Sequence, residues 1–324
     1  MRNQKEIPGI NKEKNLESKK SLSNKLLSEM NSEGLKLKFV SLSRLSQLKE
    51  DLEETRTSGL IDKAFYQERL SWFDFSPPKS LPKAGSIIII SVPQPKIKVA
   101  FQWKKQIFHL TIPPTYLHDP DEKAKMILEN ILSPSGYRIE RTSLPLKILA
   151  VRSGLAEYGK NNITYIKETG SFHRLVGFYS DFPCQNDDWR APKIMDICNN
   201  CSACIKNCPT GAIMPGRFPV KAENCLTFHN ERANPFPKWI KSDFHHCIVG
   251  CLECQSICPV NKYIFKWEEF RGYFSEKETS MILNMTSKNN IPAHTLGKIE
   301  QLSLTEYLEL LPRNLEAAIK NQIS

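Results

Sequence analysis

Leu42, Leu45, Leu48 and Leu52 recur at helical spacing, which predicts an amphipathic helix capped by Ser41 or Ser43 and stopped by Gly59. The stretch WFDFSPPKSLPKAG that follows is broken by prolines and reads as irregular. SIIIISV, Ser86 to Val92, is a short β-branched run, the mark of a strand buried on both faces. KIKVAFQW and KQIFHLTI then alternate around Lys104–Lys105 and predict a hairpin. PPTYLHDP closes that segment. Residues 121–133 and LPLKILAVRS read as helices, the second with Thr142 or Ser143 as cap and Gly154 as stop. FHRLVGFYSD, Phe172 to Asp181, reads as a further strand. Near the end, TEYLELLPRNLEAAI predicts a helix, a break at Pro312 and a new start at Asn314.

These elements predict an α+β protein in four parts. Residues 1–36 are rich in Lys, Ser, Asn and Glu and read as a mobile basic arm or weak helix. Residues 37–183 form a mixed α/β domain, 184–265 a cysteine-rich module and 266–324 a helical tail. The chain of 324 residues exceeds what one small core organises. The apolar run Ile87–Ile90 is far short of a membrane span, and no apolar stretch follows the charged N-terminus. A cytoplasmic location without membrane attachment follows by default. The formal charge of +10 permits acidic partners, including nucleic acid, without requiring them.

The ten cysteines change the picture. Cys198, Cys201, Cys204 and Cys208 stand in a C-x2-C-x2-C-x3-C-P run, and Cys251, Cys254 and Cys258 repeat its second half, again followed by proline. Disulfides suit neither a cytosolic setting nor cysteines three apart. Structural zinc favours two ligand pairs across a longer loop. The observed run is the bacterial-ferredoxin pattern, in which the fourth cysteine ligates the other of two [4Fe–4S] clusters. One cluster is therefore assigned Cys198, Cys201, Cys204 and Cys258. The other is assigned Cys208, Cys251, Cys254 and either Cys225 or Cys247. Cys184 remains outside both sets. With two clusters and their thiolates in place the net charge falls to about +6.

Two further motifs are weaker. GLAEYGKNN places Gly154, Gly159 and Lys160 as in a phosphate-binding loop, but Asn161 stands where a hydroxyl should bind magnesium, and a helix leads in where a strand is required. The glycines still give this loop backbone freedom for close approach to a large ligand. His245 and His246 precede the second cysteine run and read as neighbours that tune a cluster, or as surface residues.

AVRSGLAEYGKNNITYI, LVGFYSDFP, CSACIKNCPTGAI, AENCL and GCLECQSICPVNKY occur in that order over residues 137–265 and resemble the epoxyqueuosine reductase family. The resemblance implies a cobalamin-dependent reductase acting on a modified tRNA base, with an architecture similar to reductive dehalogenases. It implies Cys225 as the fourth ligand of the second cluster, and a corrinoid near Gly154, Gly159, Lys160 and Asn161. A low-potential donor of ferredoxin or flavodoxin type would supply electrons. The family carries an aspartate proton donor in a D-x-x-P setting fourteen residues before the glycine matching Gly154. That position here is Glu140, and Ser143 replaces the proline. Glu140 is thus the expected catalytic acid, in a divergent member whose substrate is a modified tRNA base or a small molecule. The rival readings are an electron-relay protein with no substrate of its own and, more weakly, a tRNA-binding structural protein.

Overall fold

The computed structural model describes residues 8–285, 287 and 291–323. In chain order the elements are α1 (Pro8–Ser32), β1 (Lys36–Ser41), α2 (Leu45–Thr57), α3 (Lys63–Arg69), β2 (Ser86–Pro93), β3 (Lys96–Trp103), β4 (Gln106–Ile112), α4 (Asp119–Leu132), β5 (Ile139–Arg141), α5 (Leu146–Arg152), β6 (Glu157–Tyr158), β7 (Thr164–Tyr165) and β8 (His173–Ser180). The cysteine module adds α6 (Ala203–Asn207), α7 (Leu226–Asn230) and α8 (Glu253–Ser256). The tail adds β9 (Glu268–Phe274), α9 (Glu276–Leu283), α10 (Ala293–Gln301) and α11 (Leu311–Ile323).

A four-stranded antiparallel sheet in the order β1-β2-β8-β5 lies at the centre of the first half. β2 is its most apolar strand because both its faces are covered. Ile88 and Ile90 pack with Leu26 and Met30 of α1 and Leu128 of α4. Ile87 and Ile89 turn the other way, onto Leu45 and Leu48 of α2 and Leu149 of α5. The period-2 geometry of a strand sends alternate isoleucines to these two cores. Truncating one of them to alanine costs about 2–5 kcal/mol.

Residues 8–32, read as an arm or weak helix, form α1, and its second half is anchored by Leu26 and Met30, both fully buried. Burial on the sheet supplies what local propensity lacks. Residues 1–7 of that arm lie outside the described residues.

The predicted hairpin is β3–β4, and Lys104 and Lys105 both take positive φ, 48° and 64°. Two left-handed residues give the tight turn whose twist matches the strands. β9, which sequence reading left inside the helical tail, pairs parallel with β3. Its residues are mostly exposed, so EEFRGYF carries no apolar alternation to reveal it. The hairpin, β9 and helices α9 to α11 share one core that also takes in Ile248 and Val249 of the cysteine module. The break expected at Pro312 falls earlier. A 3-10 turn ends at Leu310, and Pro312 sits in the first turn of α11, where its missing N–H costs nothing.

Candidate functional site: two cysteine groups and a large cavity

The loop after α5 positions the cysteine module. Gly154 ends α5 with φ 73°, and β6 and β7 form a short hairpin. Tyr158 bonds in both directions to the segment entering the module, donating from its N–H to Lys193 O at 2.8 Å and accepting from Met195 N at 2.8 Å. Lys160 Nζ donates to Asn199 O at 3.3 Å and Cys201 O at 3.2 Å. Asn161 Nδ2 donates to Tyr165 Oη at 2.9 Å and Cys254 O at 3.4 Å. Beneath the loop, Ser171, Gln255 and Asn261 form a buried network, with Ser171 Oγ donating to Gln255 Oε1 at 2.7 Å. The loop is thus held against the protein's own cysteine module, while Asn161, Asn162 and Ile163 also line the larger cavity described below. Gly154 lines neither cavity described below, and its carbonyl accepts from Arg190 Nη2 at 2.8 Å.

Cys198, Cys201, Cys204 and Cys258 come together around a small pocket of about 20 Å³, which Gly159, Lys160, Asn161 and Tyr165 also line. Cys208, Cys225, Cys251 and Cys254 come together on the wall of a cavity of about 890 Å³. α6 and α8 pack against each other, and Asn207 Nδ2 donates to Glu253 O at 2.8 Å. Each run therefore reaches across to the other group: Cys258 joins the first, Cys208 the second. Burial and neighbouring thiolates push Cys204 up to about 11, and Cys251 and Cys254 well above the usual thiol value. Such thiols ionise readily only when an iron centre supplies positive charge. No three His, Cys, Asp or Glu among the described residues crowd closely enough for a single ion. Two sets of four thiols supply the number of ligands that two cubane clusters take, one for each iron.

Cys247 is buried outside both linings, bridged by backbone to Thr111, and Cys184 is half-buried against Asn186 O. His246 Nε2 accepts from Leu252 N at 3.1 Å and lies 4.0 Å from Cys251 Sγ. His245 is buried beside Phe236, and burial pushes it down to about 4.

Glu140 lies on the edge strand β5, where Ser80 Oγ donates to its carboxylate. It does not line the large cavity. The cavity walls are chiefly apolar, with Phe65, Phe73, Phe218, Phe228, Ile148 and Ile213 among them. Among the polar groups on its wall are Tyr116, Lys147 and Glu231, which the sequence did not single out. No motif marks them, because each comes from a different element.

Two groups of four cysteines define an iron–sulfur protein of the double-cluster type, and a family described as "4Fe-4S double cluster binding domain" matches residues 197–261. Over a longer span the chain is similar to epoxyqueuosine reductases. One from Leadbetterella byssophila is 34% identical over 148 residues, which is 44% of this chain and 47% of that protein. One from Bacillus subtilis is 27% identical over 226 residues, 63% of this chain and 57% of that protein. The chain thus spans about half the length of these curated relatives. A solved epoxyqueuosine reductase, determined with an epoxyqueuosine-modified tRNA-Tyr stem loop, has the same fold. The two superpose with a TM-score of 0.62 at 20% identity, over 94% of this chain and 82% of that one. No helix among the described residues is long and apolar enough to cross a membrane.

Proposed function

We propose that this protein is an iron–sulfur reductase that carries low-potential electrons through two [4Fe–4S] clusters to a substrate held in the large cavity. The observation that carries the reading is the placement of Cys208, Cys225, Cys251 and Cys254 on the cavity wall, while the other four cysteines line only the small pocket. Electrons from a ferredoxin- or flavodoxin-type donor enter at the first cluster and leave at the second. Clusters near roughly −400 mV suit that role. The ligand sets are Cys198, Cys201, Cys204 and Cys258, and Cys208, Cys225, Cys251 and Cys254.

The cavity also suits a corrinoid. Its volume lies toward the upper end of the usual range for cofactor and small-molecule sites, and its walls are broad and apolar. Ile148, Phe218 and Ile213 would flank the macrocycle, and Asn161 borders the same space. When bound, a corrinoid supplies a strongly reducing metal centre. The protein's own part is to exclude water with the aromatic walls, to hold the reacting oxygen and to deliver protons.

By analogy with the relative solved with a tRNA stem loop, the substrate is an epoxide-bearing tRNA base, and the positive charge of the chain favours such a polyanion. An electron relay without substrate has no use for a cavity of this size. The test is anaerobic purification with added cobalamin, followed by incubation with reductant and an epoxyqueuosine-modified stem loop. About eight irons per chain, retained cobalamin and loss of the epoxide support the reading. Intact clusters without cobalamin retention or turnover would return the protein to the relay class.

A further inference from the structure

Glu231 follows α7 and lines the cavity with 19% of its side chain exposed. Tyr116 donates its phenolic O–H to Glu231 Oε1. Arg69 of α3 donates through Nη2 to the Glu231 carbonyl at 2.6 Å and keeps Nη1 3.8 Å from Oε2. Lys147, in the first turn of α5, opens onto the same cavity, and its ammonium has no hydrogen-bond or ion-pair partner among the described residues. Glu306 and Tyr307 of the tail are the other titratable groups whose charge reaches Glu231.

This arrangement is poor as a structural device. Lys147 is exposed, and the space it is exposed to is the cavity, so its ammonium can meet a ligand held there. A carboxyl that already accepts from Tyr116 keeps a second oxygen for a ligand. Burial pushes the Glu231 carboxyl up, toward the pH range in which it can exchange a proton.

We infer that Glu231 and Lys147 are the proton-delivery pair of the reductive step, with Tyr116 and Arg69 positioning the carboxyl. The inference rests on the reductase reading above. For an epoxide, both ring carbon–oxygen bonds break, the two carbons become an alkene and the oxygen leaves as water. Two electrons arrive one at a time by way of the second cluster from the low-potential donor. Two protons are consumed: Glu231 gives one to the first oxygen anion formed, and Lys147, which holds that oxygen, gives the other. Solvent then reprotonates both groups. Glu140, on its edge strand, takes no part.

Anaerobically reconstituted full-length protein and its E231Q and K147Q variants provide the test, with the modified stem loop as probe. Turnover is expected to fall by roughly 10²- to 10⁴-fold in each variant, while iron content and the electron paramagnetic resonance of the reduced clusters stay unchanged. E231D should restore part of the rate and shift its pH profile, which a merely structural role would not do. Infrared titration without substrate is the second measurement. The wild type should show a protonated-carboxyl band that persists above the ordinary carboxylate range, and E231Q should lack it. Wild-type turnover in E231Q, or no such band in the wild type, overturns the inference. A wild type that shows the band but leaves the stem loop unconverted overturns the substrate reading instead, and still supports the buried acid.

Discussion

The first cysteine group closes around a pocket of about 20 Å³, whereas the second opens onto about 890 Å³. The first is a C-x2-C-x2-C trio joined by Cys258 and the second a C-x2-C pair joined by Cys208 and Cys225, but that difference in spacing does not set how open each group is. What covers them does. The loop bearing Lys160 and Asn161, with Met195 and Tyr165, seals the first group. The second faces a space walled by α2, α3, α5, residues 113–118, residues 161–163 and the cysteine module itself. One module therefore holds one group of cysteines enclosed and the other open to a large cavity.

The largest way to break this comparison is to remove a ligand from one side only. C225S should lose the second cluster, leaving about four irons per chain and no turnover, while the first cluster keeps its spectrum. C247S, which alters a buried thiol outside both linings, should retain all the iron. Equal loss in both variants would show that the second group has been assigned wrongly.

A smaller effect comes from pH. His173 lies beneath the loop, with Nε2 3.0 Å from Thr164 Oγ1, and burial pushes it down to about 4 from an ordinary value near 6.5. The unfolded chain therefore binds more protons than the folded one between these values. The stability is fully present above about pH 6.5 and is lost progressively down to about pH 4, by on the order of 3 kcal/mol. Apo-protein melting at pH 7 and pH 5 should show the drop, and H173N should flatten it.

Smaller again is K160M. It removes a cation and two charge-assisted bonds beside the first group, so that cluster's reduction potential should fall by roughly 40 mV, about 1 kcal/mol, with the second unmoved. Equal shifts at both clusters would show that Lys160 does not act on the first group alone. The smallest effect is expected for E140Q, whose stability and turnover should stay within about 0.5 kcal/mol of wild type. A large loss there would restore Glu140 as the acid.

What was legible in the sequence was local. The cysteine runs announce themselves because thiolates on one tight loop must keep fixed spacing. β2, the β3–β4 turn and α2 follow from patterns within a dozen residues. β9 was not legible because its partner, β3, lies far away in the chain and its own residues stay exposed. α1 has little amphipathic signal of its own and is held by packing on the sheet and α4. Tyr116, Lys147 and Glu231 were invisible for the same reason: no spacing rule links three residues brought together only by the tertiary fold.

α11 reaches out of its own core to the stretch that carries Glu231. Asn314 Nδ2 donates to Asn230 O at 2.8 Å and Ile248 O at 2.9 Å, and Arg313 Nη2 donates to His229 O at 2.9 Å. A side-chain amide remote from any reacting atom thus sets the height of a carboxyl one peptide away from where it grips. Tuning of this protein's chemistry is accordingly open to substitutions on its far flank, where no map of contacts to a bound molecule would direct the search.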